Sequence, residues 1–256
     1  MLRLSKVVPL TVALATLALA TLIIFVGCNS SSSAQVRFVN AISDDTQGLD
    51  IDFNGTKAFT DILFPGISAS TYTSVPSGSD KIQGFATGTT SNPVFSETSP
   101  VSFSSGTQYT VVATGQLTGT VILLAPVDTN TAPGNGSVNF RVINASINGP
   151  GSVDVYILAK PVVGNLGCPT NCPTITALAS PVSSINTTSA YTTLPYNSNG
   201  QGYQLYVTVT GETVPVVNDP QTISVGSVSV GSIRTLVLVD SGNTISQSPL
   251  ILSDLN

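Results

Sequence analysis

The sequence contains no histidine and no tryptophan, and only 8% of its 256 residues are charged. Without an imidazole, the chain cannot use the Ser-His-Asp or Cys-His chemistry in which that group carries the proton, nor bind zinc through imidazole ligands. Thirteen acidic residues against eight basic ones argue against binding to nucleic acid. A hydrophobic share of 41% argues against disorder. We therefore expect a folded, non-enzymatic protein without a metal or a cofactor.

The first 28 residues have the features of an export signal. Arg3 and Lys6 supply a basic start, residues 7–26 are apolar or small and carry no charge, and Gly27-Cys28 follows. A basic start, an apolar stretch and a small residue before the cleavage site are typical of secretory signal peptides. An uncleaved membrane-spanning helix is the alternative, because about 20 apolar residues are long enough to cross a bilayer.

The same segment resembles a bacterial lipoprotein signal peptide. Val26, Gly27 and Cys28 fit the motif of that class, whereas Phe25 stands where leucine is usual. The resemblance implies that residues 1–27 are removed and that Cys28 carries acyl chains such as palmitate. Two or three acyl chains suffice for stable anchoring in a membrane.

The residues after Cys28 bear on where the protein is anchored. In the Gram-negative lipoproteins that this segment resembles, an aspartate after the cysteine commonly retains the protein at the inner membrane. The resemblance therefore implies that Asn29 favours the outer membrane, with the protein periplasmic or surface-exposed. Four serines follow at 30–33, and we expect residues 28–34 to be a flexible tether.

The body of the chain contains two copies of one pattern. Four segments of the first copy recur in the same order in the second: 37–41 and 141–145, 49–51 and 153–155, 72–76 and 191–195, and 109–111 and 234–236. Residues 129–136, with Pro133 and two glycines, form a natural linker. We therefore predict two domains, at 35–128 and 137–256.

Both copies have the pattern of β-strands. Leu49, Ile51 and Phe53 alternate with Asp50 and Asp52, which is typical of a half-buried strand. The Asn-Gly pair that follows at 54–55 indicates a type I′ hairpin turn. Because proline and glycine recur at short intervals, we predict an all-β fold of two tandem β-sandwiches.

The repeated unit resembles the bacterial DUF4397 family. The resemblance rests on the segments 36–41, 49–55, 72–78 and 109–115 of the first copy. The second copy departs from the pattern, since Tyr156 replaces Asp52 and the Asn-Gly turn is missing. The resemblance implies immunoglobulin-like β-sandwiches and no particular activity.

One arginine and one aspartate recur at the same spacing in both copies. They are Arg37 with Asp50, and Arg141 with Asp154. If the two strands of each copy pair antiparallel, each arginine can face its aspartate across the sheet. We predict structural ion pairs within each copy, with a repeated binding pocket as the alternative.

Four acidic residues cluster near the first of these strands. Asp44, Asp45, Asp50 and Asp52 could supply some of the oxygen ligands that Ca²⁺ requires. The second copy lacks the cluster, and no EF-hand spacing exists. A solvated acidic loop is therefore the preferred interpretation.

Two cysteines remain if Cys28 is acylated. Cys168 and Cys172 lie in an insertion of the second copy. In an oxidising compartment we expect them to form a disulfide that closes a small loop. The alternative function is an envelope enzyme or redox accessory that uses this pair, since small strained disulfides are easily reduced.

A polar loop of the second copy is the candidate binding surface. Tyr196, Asn197, Asn199 and Tyr203 combine aromatic faces with amides, which suits an envelope protein or a glycan. Buried tyrosines beside a plain loop are the alternative. We expect a lipid-anchored envelope protein with a non-enzymatic binding or structural role, its second copy pointing away from the lipid.

Overall fold

The computed structural model describes residues 32–69, 71–150, 152–159, 174–179, 187–198, 202–211, 223–224, 228–242, 244–246 and 248–254. Within these ranges every regular element is a β-strand, so the predicted all-β class is confirmed. None of these residues belongs to a helix long and apolar enough to cross a membrane. The predicted signal peptide and Cys28 lie outside the described residues.

The first copy folds into eleven strands. They are β1 (Ser33–Ile42), β2 (Leu49–Phe53), β3 (Thr56–Ile62), β4 (Gly66–Ile67), β5 (Thr73–Pro76), β6 (Gly78–Asp80), β7 (Ile82–Ala86), β8 (Phe95–Ser96), β9 (Val101–Phe103), β10 (Gln108–Gly115) and β11 (Val121–Leu124). One sheet has the order β11-β10-β1-β4, with β5 also paired to β1, and the facing sheet has the order β3-β2-β7-β8. A short sheet of β6 and β9 lies beside them.

The second copy repeats this arrangement. Its strands are β12 (Ser137–Asn144), β13 (Ser152–Ala159), β14 (Thr174–Ala179), β15 (Thr192–Pro195), β16 (Tyr203–Val209), β17 (Ile223–Ser224), β18 (Ile233–Leu238), β19 (Asp240–Ser241), β20 (Thr244–Ile245) and β21 (Leu250–Ser253). The sheets β15-β12-β18-β21 and β14-β13-β16-β17 correspond to the two main sheets of the first copy. The two groups of sheets are consistent with the predicted tandem sandwiches.

The first strand starts earlier than predicted. The sequence pattern places Ser33 and Ala34 in the tether, but they belong to β1 and pair with Pro76 and Val75 of β5. Ala34 is fully buried in the core of the first sandwich, and this burial fixes it in the strand. The predicted Asn54-Gly55 turn is present, with positive φ at both residues as a type I′ turn requires.

Each sandwich has one sheet that is buried on both faces. In β1, Val36 and Phe38 pack into the core of their own sandwich, whereas Val39 and Ala41 point to the opposite side. The strands β10, β12 and β18 alternate in the same way. Their outward residues join Val39 and Ala41 in a core shared by both sandwiches: Val112, Ile143, Ala145, Val237 and Val239. The two sandwiches thus pack side by side through β1-β10 and β12-β18.

The four central strands of this contact run in the same direction. Strand β1 is parallel to β10, and β12 is parallel to β18. Near the strand ends, the Thr114 hydroxyl bonds to the Ala145 carbonyl and the Asn148 amide bonds to Ser43 across the contact. Near the starts of the strands, Arg37 bonds to Asp254 and Arg141 bonds to Asp128 across the contact. We call the end at which β1 and β12 begin the base, and the opposite end the tip.

Candidate functional site at the contact between the sandwiches

Arg37 reaches from the first sandwich into the second. Its Nε donates to the Thr110 hydroxyl at 2.8 Å, within its own sheet. Its Nη1 donates to the Ser253 carbonyl at 2.6 Å, and its Nη2 to the Asp254 carboxylate. Ser253 and Asp254 lie at the end of β21, the edge strand of the inner sheet of the other sandwich. Arg37 therefore ties the start of the first copy to the end of the second.

Arg141 makes the matching contacts in the reverse direction. Its Nε donates to the Thr235 hydroxyl at 3.1 Å. Its Nη1 donates to the Val127 carbonyl at 2.8 Å, and its Nη2 to the Asp128 carboxylate. Val127 and Asp128 lie three and four residues after the end of β11, the counterpart of β21. Each arginine thus bonds through the same three donors to the segment at the end of the other copy, and Nη2 of Arg141 also donates to the Thr235 hydroxyl at 2.8 Å.

The second oxygen of each aspartate is also occupied. Oδ2 of Asp128 accepts bonds from the hydroxyls of Thr110 and Tyr72, both at 2.6 Å. Oδ2 of Asp254 accepts bonds from Thr235 at 2.6 Å and Tyr191 at 2.8 Å. Each carboxylate is therefore fixed by groups of its own sandwich while it binds the arginine of the other.

The two tyrosines also stack on the arginines. The guanidinium carbon of Arg37 lies 5.0 Å from the centre of the Tyr72 ring, and that of Arg141 lies 4.7 Å from Tyr191. Burial, reinforced by the charge of Asp128, raises the pKa of the Tyr72 phenol. Burial also raises the pKa of Tyr191, against the opposing charge of Arg141. Both phenols therefore stay protonated and act as donors to the aspartates.

We name Arg37, Arg141, Asp128 and Asp254 the arginine–aspartate network. Their side chains are no more than 2% exposed, and Arg37 also lies 3.4 Å from Asp128, so all four charges form one connected group. Buried ions are tolerated when each is paired and hydrogen-bonded, as here. Because the carboxylate oxygens already accept hydrogen bonds inside the protein, the chemistry of this site is that of a structural joint.

The predicted pairs Arg37–Asp50 and Arg141–Asp154 are wrong. Strands β1 and β2 belong to different sheets, and Arg37 points away from its own core, towards the other sandwich. Asp50 instead pairs with Lys57 at 2.7 Å. Asp154 accepts a bond from the Gly211 amide at 3.0 Å. The aspartates that pair with the arginines are Asp254 and Asp128, which no motif in the sequence singles out.

Asp50 is held as an anion by its local contacts. Its carboxylate accepts bonds from Lys57 and from the amides of Asp61 and Gly88. Burial opposes ionisation, but these donors outweigh it and lower the pKa of Asp50 below its usual value. This aspartate therefore fixes the outer sheet of the first sandwich.

The neighbouring acidic residues have separate structural roles. Asp44 accepts bonds from the backbone of Leu117 and Thr118, and so joins the β1–β2 loop to the β10–β11 turn. Asp45 accepts a bond from the Asn40 amide and others from the backbone of its own loop. Oδ1 of Asp52 is buried and has no hydrogen-bond partner. Within the part of the chain that the structure describes, no three acidic or cysteine side chains are grouped as a metal site.

The predicted binding loop is only partly open to a ligand. Tyr203 is 1% exposed and packs on Phe140, so its ring belongs to the core and cannot be a contact surface. Its hydroxyl bonds to the Pro195 carbonyl at 2.6 Å and accepts the Asn197 amide at 2.9 Å. Tyr196 packs partly against the same core. Asn199, like the predicted disulfide residues Cys168 and Cys172, lies outside the described residues.

The tip of the first sandwich carries two neighbouring cavities. One has a volume of about 140 Å³ and is lined by residues 44–49 with Ala86, Val94 and Leu117. The other, of about 300 Å³, shares Val94 and Leu117 with it and continues along residues 95–98 and 119–121. The loops around β2, β8 and β11 therefore form a concave surface that no motif in the sequence predicts.

Comparison with known proteins identifies one domain. No curated protein matches the chain. Among solved structures, the Bacillus anthracis TIE protein is similar over 82% of this chain and 34% of its own, with 10% identity and a TM-score of 0.24. This chain thus spans about a third of that protein's length. Residues 34–156 match the family described as "Domain of unknown function (DUF4397)". The chain therefore contains a DUF4397 domain, which covers the first sandwich and continues through β12 into β13.

Proposed function

We propose that this protein is a lipid-anchored cell-envelope protein in which two tandem DUF4397 copies act as one rigid, non-enzymatic module for binding or support. The basic start, the uncharged apolar stretch and Gly27-Cys28 support the lipid anchor. Asn29 supports the outer membrane as the destination. The partner of the module is an envelope protein or a glycan.

The matching strands support the assignment of the second copy to the same family. Arg141, Thr235 and Tyr191 occupy the positions that Arg37, Thr110 and Tyr72 occupy in the first sandwich, and they make the same kinds of contact. The sheets that carry them also have the same strand order.

The reciprocal arginine–aspartate network is the observation that carries the proposed rigid module. Two independent domains on a linker would expose their facing sheets, but here those sheets bury a shared core and four charges. A fixed pair of sandwiches holds the loops of both copies at constant separation, which suits a scaffold that presents loops to a partner.

Lipidation is tested by the mass of the mature N-terminus. The wild-type chain is expressed in a bacterium beside Cys28→Ala, with Cys168→Ala as the matched control. We expect wild type and Cys168→Ala to begin at an acylated residue 28 and to float with membranes, whereas Cys28→Ala does neither. An unmodified or uncleaved wild-type N-terminus would contradict the anchor.

The redox alternative is tested separately on the exported protein. If the protein is a binding or structural module, Cys168 and Cys172 form a stable disulfide, and a free-thiol assay finds no reactive thiol. Two reactive thiols in the exported protein would favour the envelope enzyme or redox accessory instead.

A further inference from the structure

The bases of the two sandwiches lie on the same side of the molecule. At the base of the first sandwich, the Gly106 amide bonds to the Ser33 carbonyl. The second sandwich has the equivalent bond from the Gly231 amide to the Ser137 carbonyl. Because Arg37 and Arg141 join these two ends, the bases lie next to each other.

The first strand, β1, begins at the base of the first sandwich. Only residues 29–32 separate Cys28 from Ser33, the first residue of β1. A fully extended chain spans about 3.3–3.6 Å per residue, so Ser33 can lie at most about 18 Å from Cys28. An acyl group on Cys28 therefore keeps the base close to the lipid headgroups, whatever the conformation of the connecting residues.

The charges of the described residues differ between the two ends. Asp44 and Asp240 bind backbone amides in loops at the tip. Arg234, near the start of β18, and Lys81, which directly follows β6, lie towards the base, where Asp80 and Glu97 also lie. Anionic headgroups would therefore be repelled more strongly by the tip, where Asp44 is partly exposed, than by the base, where charges of both signs lie.

We propose that the bases of both sandwiches lie against the headgroups of the bilayer that holds Cys28, and that the tips face away from it. This inference rests on the proposed lipid anchor. The second copy then does not point outward from the first, because the two stand side by side on the membrane. Tyr196, whose amide bonds to the Gly136 carbonyl at the base, lies on the membrane side. The cavity lined by residues 44–49 lies among loops at the tip, on the side away from the membrane.

Tryptophan fluorescence can test this orientation, because the natural chain contains no tryptophan. Single tryptophans are introduced at the base as Ser105→Trp and Val230→Trp, and at the tip as Thr90→Trp and Ser241→Trp. All four positions are exposed, and each sandwich carries one of each kind. The acylated full-length variants are reconstituted in vesicles of phosphatidylethanolamine and phosphatidylglycerol in which some headgroups carry a nitroxide quencher.

The expected result is loss of most of the fluorescence of Ser105→Trp and Val230→Trp, with that of Thr90→Trp and Ser241→Trp unchanged. Quenching at the tip, or quenching of Ser105→Trp without Val230→Trp, would overturn the orientation, as would vesicle-bound protein with no quenching. Flotation of the same samples separates the two proposals. Protein that floats without the expected quenching contradicts only the orientation, whereas acyl-free protein that does not float contradicts the anchor and the orientation together.

Discussion

The two copies match closely at the contact between the sandwiches. They match less closely in the outer sheets, which are β3-β2-β7-β8 and β14-β13-β16-β17. At the contact, Arg37 and Arg141 each bond to a threonine, a carbonyl and an aspartate in the same geometry. On the outer sheets the equivalent aspartates have different hydrogen-bond partners. Asp50 accepts bonds from a lysine and two backbone amides, whereas Asp154 accepts a bond from one backbone amide. The copies are thus most alike where each depends on the other.

The difference has a physical reason. A buried charge that loses its partner is strongly destabilising, because it remains desolvated without compensation. Since each arginine belongs to one copy and its aspartate to the other, a change in either copy disturbs both. An ion pair near solvent contributes little, so the outer sheet can exchange one set of contacts for another.

Loss of an aspartate from the network has the largest expected effect. Asp254→Ala leaves Arg37 without its closest carboxylate in a buried site, which should lower the free energy of unfolding by about 3–5 kcal/mol. Asp154→Ala is the matched control on the outer sheet and should cost about 1 kcal/mol or less. Urea denaturation measures both. Equal losses would show that the contact is no more important than the outer sheet.

Loss of a tyrosine hydroxyl from the network has the second-largest expected effect on stability. Tyr72→Phe and Tyr191→Phe keep the ring over the arginine but remove the bond to the aspartate, and a hydrogen bond to a charged group contributes about 1.5–3 kcal/mol. We expect similar losses for the two variants, since they occupy equivalent positions. Tyr156→Phe on an outer sheet is the control and should stay within about 0.5 kcal/mol of wild type. A loss confined to one of the two equivalent tyrosines would break the symmetry of the site.

A smaller loss of stability is expected for changes in the apolar core that the two sandwiches share. Ile143 is fully buried between the sandwiches. Ile143→Val removes one methylene group there and should cost about 0.5–1.5 kcal/mol. Ile251→Val, at a partly exposed position on the edge strand β21, should change stability by no more than about 0.5 kcal/mol. If Ile143→Val is equally neutral, that core contributes little to the packing of the sandwiches.

The smallest effect is expected at the outer ion pair. Lys57 is about a third exposed, so Lys57→Ala should cost about 0–1 kcal/mol. The folded protein lowers the pKa of Asp50, so the contribution of the pair is present near neutral pH and is lost as the pH falls through that lowered pKa. The stability difference between wild type and Lys57→Ala should therefore close in acid. A difference that widens in acid would contradict the assigned ionisation.

Much of the fold could be predicted from the repeat and the strand patterns. The turn at Asn54-Gly55 and the alternation of Leu49, Ile51 and Phe53 give local structure directly, because a side-chain period of two identifies a buried face. The start of β1 could not be placed in the same way. The serine run at 30–33 has the composition of a tether throughout, but pairing with β5 and the bond from the Gly106 amide hold Ser33 in the sheet.

The partners of the arginines were harder to predict. Ion pairs within one copy and ion pairs between copies would produce the same repeated pattern in the sequence. Asp50 also lies nearer to Arg37 along the chain than Asp254 does. The decisive signal was another repeat: Asp128 and Asp254 follow the threonines Thr110 and Thr235 at almost the same spacing. That β1 has two buried faces also depends on the second sandwich, which local patterning does not reveal.

A double-mutant cycle tests the reciprocal contact most directly. Arg141→Ala, Asp128→Ala and the double variant are compared by urea denaturation, beside the same cycle with Asp154 in place of Asp128. Residues in direct contact show coupling energies of about 0.5–3 kcal/mol, whereas separated residues are additive. We predict coupling between Arg141 and Asp128 and none between Arg141 and Asp154. Additivity in the first cycle, with coupling in the second, would contradict the joint between the two sandwiches.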